Sequence, residues 1–250
     1  MKKVILTIFS LGLVILVMAQ KTRKQGEVVY LETMKLNFKI EGMSEQMMAR
    51  MPKERKAKKI LYFNENASSY QASKEQDEQM TPGGDHRGGM RIMMSSPDNK
   101  VYIDFKKKQK IEQREFMTRK FLITGEPTPE PWKLTGNQKM IMDYPCQEAT
   151  QITEKDTIVA WFAPSIPVSA GPGNYINLPG LVLEVDINHG KRKIIAQNID
   201  LKEIHKKLIA KPRKGKKVTR EEFRKIVEEK TKEMGREQGG EGRIIMRIHR

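Results

Sequence analysis

The stretch "PGLVLEVDINHGKRKIIAQN", residues 179–198, decides the fold class. Leu181, Leu183 and Val185 alternate with Val182, Glu184 and Asp186, the period-two pattern of a strand with one face toward a core. Asn188-His189-Gly190 supplies residues that tolerate a tight turn, and Lys193 to Asn198 alternates again. Two runs joined by so short a turn are an antiparallel hairpin.

Working outward, the same signal recurs. Thr157 to Phe162 reads as a strand, and Trp132 to Ile152 as a hairpin turning at Asp143-Tyr144-Pro145. Val101 to Phe105, Phe116 to Ile123, Lys59 to Phe63 and the segment from Gly26 to Ile40 complete a β-rich series, with a further strand starting near Ser68. Between Phe162 and Leu181 lies a long irregular segment stiffened by Pro164, Pro167, Gly171, Pro172 and Gly173. Residues 72–91 show no usable period, and Pro82-Gly83-Gly84 and Gly88-Gly89 punctuate them, which predicts a mobile loop. After about residue 200 the chemistry changes. Thr219-Arg220-Glu221-Glu222 is a capping box, and Phe223, Ile226, Val227 and Met234 follow at helical spacing, predicting a helix over 219–234. The tail from Arg243 to His249 alternates once more, as a last strand or an edge addition to another chain. Many strands, one good helix and no βαβ rhythm predict a mainly β (α+β) protein. Its expected architecture is an antiparallel twisted sheet or partial barrel with a C-terminal helix.

The first residues point to export. Lys2 and Lys3 precede the apolar run Val4 to Val17, and Val17-Met18-Ala19 offers small residues before Gln20. This is the pattern of a secretory signal peptide, cleaved after Ala19. The run is shorter than the roughly 20 apolar residues that span a bilayer. Cys146, the one cysteine, is far from the cleavage site, so lipidation there is excluded, as is an intramolecular disulfide. The expected organisation is a signal peptide over 1–19, a β-rich domain over 20–209, and a basic linker, helix and tail strand over 210–250. No later segment is long and apolar enough to cross a membrane, and the expected location is the periplasm or outside the cell.

The formal charge of +16 becomes +14 without Lys2 and Lys3. A charge of this sign invites nucleic acid, but the export signal points elsewhere and no binding motif is present. The bases fall in separate clusters at Lys53 to Lys59, Lys106 to Lys110 and Lys206 to Lys217. They read as solvated edges, or as contacts to anionic head groups at a membrane surface.

Three stretches stand in order: "MIMDYPCQEAT" at 140–150, "AWFAPSIPVSAGPGNY" at 160–175 and "INLPGLVLEVD" at 176–186. Together they resemble the GLPGLI family of exported proteins from Gram-negative bacteria, named for a Gly-Leu-Pro-Gly-Leu-Ile signature. The corresponding residues here are Asn177, Leu178, Pro179, Gly180, Leu181 and Val182. Asn177 stands where the signature has Gly, and Val182 where it has Ile. Asn is the next most tolerant residue if that position needs φ > 0. The resemblance implies an address and an architecture, with no catalytic residues to carry over. In physical terms the motif is structural: Leu178 packs, Pro179 and Gly180 set a turn, and Leu181, Leu183 and Val185 face the core.

Candidate chemistry is sparse. Trp161, Phe162 and Tyr175 flank or lie in the stiff segment, which either covers the sheet or forms a binding rim. Met43, Met47, Met48 and Met51 are spaced for one side of a short helix, and His86, Met90, Met93 and Met94 cluster in or beside the predicted loop. Thioethers are soft ligands suited to Cu(I), although methionines also fill irregular cores. Cys146, with His86, His189 and His205 far off in sequence, has no local signature of a nucleophile. Ser169 to Gly173 lacks the Lys and following helix of a phosphate loop. No cofactor is expected. The leading expectation is a non-enzymatic envelope protein that binds an apolar or amphipathic ligand or an envelope partner. A copper-binding protein comes next, and a hydrolase last.

Overall fold

The computed structural model describes residues 24–36, 44, 46, 52–73, 99–127 and 131–237. In chain order the strands are β1 (Gly26–Lys35), β2 (Glu54–Phe63), β3 (Ala67–Ala72), β4 (Lys100–Asp104), β5 (Gln109–Phe116) and β6 (Arg119–Gly125). They continue with β7 (Lys133–Ile141), β8 (Tyr144–Ile152), β9 (Thr157–Ala163), β10 (Leu181–Ile187), β11 (Arg192–Asp200) and β12 (Lys216–Val218). Helix α1 (Arg220–Glu237) follows. All strands join one open sheet in the order β12-β6-β5-β4-β3-β2-β1-β11-β10-β9-β8-β7. Every pairing is antiparallel except β12 with β6. The mainly β class with a C-terminal helix is therefore as expected.

Pairing registers define two faces, because successive side chains of a strand point to opposite sides. The inner face carries Val28, Tyr30, Leu61, Phe63, Tyr70, Ala160, Phe162, Val185 and Ile194, all in one buried cluster. The segment 164–180 folds over it. Its backbone doubles back, with Leu181 N–H donating to Ile166 O at 3.0 Å and Val182 N–H to Ala170 O at 2.9 Å. Ile166, Val168, Ala170, Ile176 and Leu178 are thereby buried.

Segment 201–211 crosses the outer face. Ile204 and Ile209 pack on Ala67 and Tyr102, with Tyr62 and Ile111 beside them. The chain then forms β12 at the far edge of the sheet. The capping box forms as its residues predict: Thr219 Oγ1 accepts from Glu222 N–H at 3.1 Å, and Glu222 Oε2 accepts from Thr219 N–H at 2.7 Å. Helix α1 docks through Phe223, whose ring lies 5.3 Å from that of Phe121 and 6.4 Å from that of Phe116.

Charge conceals all or part of three strands. The expected strand Lys59 to Phe63 is the second half of β2, which begins at Glu54 inside the basic run; the charged run after Lys106 contains most of β5, and Lys216–Val218 is β12 within the expected basic linker. Charge hides the strand period when partners elsewhere in the sheet supply the countercharge. The predicted tail strand, most of the predicted loop at 72–91 and the predicted signal peptide at 1–19 lie outside the described residues.

Candidate functional site

The motif residues build a sharp corner between loop and strand. Asn177 has φ 69°, the left-handed region that glycine would accept and Asn tolerates best after it. Leu178 is buried. A Cβ on Gly180 would sit 2.3 Å from Ala163 O, so only glycine lets the two backbones approach there. The same holds at Gly171, where a Cβ would meet Tyr175 O at 2.0 Å. Leu181, Val182, Leu183 and Val185 are all buried. A bulge between Val182 and Glu184 shifts the phase of β10 against β9. Val182 consequently shares the inner face with Val185, a correction to the simple alternation. Its carbonyl accepts a hydrogen bond from the Tyr30 hydroxyl at 2.6 Å.

The three aromatic residues read as one rim are not brought together. Phe162 is fully buried in the core and takes no place on any rim. Trp161, its neighbour in β9, points to the outer face. There the Lys139 ammonium lies 4.2 Å from the indole centroid and 2.7 Å from Glu184. Tyr175 alone reaches a cleft.

That cleft, of about 220 Å³, opens at the tip of the covering loop. Asn174, Tyr175, Ile176 and Asn177 form one wall. Trp132, Gln151, Thr153 and Ile158 come from the β7–β9 end, and Ile103 and Lys110 from β4 and β5. β4 and β9 stand six positions apart, which is about 29 Å across a flat sheet. Their meeting in one small cleft shows how strongly the sheet curls. Trp132 is fixed by its Nε1–H, which donates to Ile176 O at 2.8 Å. Lys110, Trp132, Gln151, Thr153 and Asn174 escaped the sequence reading, since no local pattern joins them.

Beneath the cleft lies a buried carboxylate. Glu112 is fully enclosed, with Lys110 Nζ and Arg114 Nη2 each 3.2 Å away and the Arg220 guanidinium bonded to it. Burial alone would raise its pKa, but Arg114, Arg220 and Lys110 together outweigh that and hold it below its ordinary value. A second polar group lies beside the loop. Glu32 accepts from the Tyr70 hydroxyl at 2.6 Å and from Arg192 at 3.3 Å. Burial first, then the Glu32 charge, pushes the Tyr70 phenol well up, and burial raises Tyr175 as well. Both phenols stay protonated at neutral pH, and that of Tyr70 donates its proton in the bond to Glu32. Burial likewise lowers the Lys59 pKa, with Glu32 acting against it.

Cys146 is buried, its thiol pushed up to about 11 chiefly by desolvation. Among the described residues, no three His, Cys, Asp or Glu side chains gather as a metal would need. Met43, Met47, Met48, Met51, His86, Met90, Met93 and Met94 lie outside the described residues. No described helix is long and apolar enough to cross a membrane.

Comparison with known proteins gives a fold and no activity. Residues 150–184 match the family model described as "Protein of unknown function (Porph_ging)". That span runs from the end of β8 through the covering loop into β10. No curated protein matches. Two solved structures of PNGF-II, in different space groups, are similar in fold. One has a TM-score of 0.55 at 14% identity over 82% of this chain, and the other 0.54 at 14% over 81%. The chain spans about a third of their length, 33% and 32%. At such identity the likeness is one of β architecture alone.

Proposed function

We propose that this is an exported cell-envelope protein that acts by binding rather than catalysis, and that the cleft at Tyr175 seats an amphipathic group projecting from an envelope partner. The observation that carries the proposal is the filled inner face. The chain's own loop occupies the apolar surface over β1, β9, β10 and β11, and what remains beside that loop is a cleft smaller than the roughly 300–1,000 Å³ of small-molecule sites. Its volume suits one side chain or terminal group, with Trp132 and Tyr175 for apolar contact and the exposed Asn174 amide for a hydrogen bond. This favours a partner over an acyl chain as the occupant.

Export is inferred from the first 19 residues. The GLPGLI assignment is proposed on the three quoted stretches; the family match over 150–184 overlaps them and carries a different description. Against catalysis stands the protonated, enclosed thiol of Cys146.

The test places a photo-crosslinking residue at Asn174, an exposed wall position, in the producing cells. A discrete adduct in the envelope fraction, lost when Trp132→Ala is added, is expected. Absence of an adduct, or an equal adduct from the exposed position Lys232, three turns into α1, defeats the proposal.

A further inference from the structure

A second concavity, sharing no lining residue with the cleft, lies at the β6–β12 edge of the sheet. It is a groove of about 480 Å³ between α1 and the β6–β12 edge. Phe121 and Ile226 supply apolar lining, and Arg119, Lys120, Lys216 and Lys230 supply cations against one acid, Glu229. Segment 206–217, which leads to this edge, holds Lys206, Lys207, Lys211, Arg213, Lys214, Lys216 and Lys217 with no Asp or Glu.

The adjoining β5–β6 turn is unusual. Met117 and Thr118 both have positive φ, 48° and 62°, between the paired residues Phe116 and Arg119. Such a turn selects Asn-Gly, and a β-branched residue at positive φ is strained. The strained turn holds Met117 as an exposed large apolar side chain, 39% accessible, two residues from Arg119. Apolar lining, a cationic rim and a projecting methionine form one pattern. It complements a surface that is negatively charged outside and apolar beneath.

We infer that the β6–β12 edge, with Met117, Arg119 and Lys216, docks the protein on an anionic lipid surface. Met117 enters the head-group layer while the cations sit at phosphate level. Lysine and arginine stems cover the apolar boundary and keep their charges in water.

The test uses the protein purified as its cell produces it, with vesicles of phosphatidylcholine containing about 30% phosphatidylglycerol, vesicles of pure phosphatidylcholine, and duplex DNA. Binding to the anionic vesicles alone, weakening with salt, is expected. Arg119→Ala with Lys216→Ala should lower vesicle partitioning about thirtyfold, roughly fivefold per cation. Met117→Glu should lower it about tenfold or more, since it replaces an inserted apolar group by an anion. The exposed remote pair Lys133→Ala with Lys155→Ala should stay within about twofold, as the contact is local. Unchanged thermal midpoints identify each variant as folded, and Met117→Glu, at an exposed turn, serves if the double variant is not. No binding to anionic vesicles at low salt overturns the inference. So does equal loss from the remote pair. DNA binding that Arg119→Ala with Lys216→Ala weakens and Met117→Glu leaves intact assigns the edge to nucleic acid and likewise overturns it.

Discussion

Replacing Glu112 by Gln is the sharpest test of how the inner face is held together. The Glu112 side chain is 1% exposed and that of Lys110 8%, so the substitution leaves a buried ammonium beside two guanidinium groups with no countercharge. Removing one partner of a buried ion pair costs about 3–5 kcal/mol. Arg114 and Arg220 are 41% and 55% exposed, and water screens them, so the loss falls at the lower end, about 3 kcal/mol. With an m-value of roughly 2–3 kcal/mol/M, the urea midpoint should drop by about 1–1.5 M at pH 7.

The pH dependence gives a second signature. The folded carboxyl titrates below the unfolded value of 4.5, so the unfolded chain binds the proton more readily. The stabilisation is therefore complete above that value and is lost as pH falls through the folded one. Wild type should weaken below about pH 4.5 along a steeper slope than Glu112→Gln. Pairing Lys110→Met with Glu112→Leu should recover much of the loss, because an apolar pair needs no countercharge. A single-variant loss under about 1 kcal/mol, or parallel acid slopes, would refute the assignment of a buried carboxylate held by cations.

Three further outcomes follow from the motif region. Tyr30→Phe removes the donor to the Val182 carbonyl and should cost about 1–3 kcal/mol in urea unfolding, because that acceptor is left buried and unpaired. Gly180→Ala drives a Cβ against the Ala163 backbone and should cost about 1–3 kcal/mol, with faster proteolysis between residues 164 and 180. Cys146 should resist a thiol-reactive disulfide reagent at pH 8 in the folded protein and react fully in denaturant; rapid labelling of the folded form would show the thiol to be accessible.

What the sequence made legible is what depends on neighbours in the chain. β9, β10 and β11 follow from alternation, the start of α1 from Thr219 and Glu222, and the corner from Pro179-Gly180 and the tolerance of Asn177 for positive φ. The separation of Trp161 from Phe162 was also legible, since adjacent residues of a strand face opposite ways. What stayed hidden depends on distant partners. Lys110 and Glu112 look like solvated charges until β5 is placed so that Arg220, 108 residues further on, closes over the carboxylate. The bulge at Leu183 has no glycine to announce it. The cleft draws on segments that meet only because the sheet curls.

The two coverings of the inner face explain why the motif marks a structural corner while the open chemistry lies beside it. Segment 164–180 covers the β1, β9, β10 and β11 part, and α1 covers β5, β6 and β12. Between Tyr175 at the loop tip and Arg220 at the helix start, the inner face carries Lys59, Tyr70, Lys110, Glu112 and Arg114, side chains that an apolar cover would leave unpaired. Their charges are met laterally, Glu112 by its three cations and Glu32 by Tyr70 and Arg192. The seam between the coverings is consequently polar, and the cleft lined by Lys110, Trp132 and Tyr175 opens along it. Gly171 and Gly180 set the path of the loop, and Asn177 turns its end, so the motif fixes where one side of the seam lies and adds one residue, Asn177, to its lining. A substitution at Gly180 should therefore disturb the cleft by moving the wall from Asn174 to Asn177, whereas one at Asn174 changes the lining and leaves the corner intact.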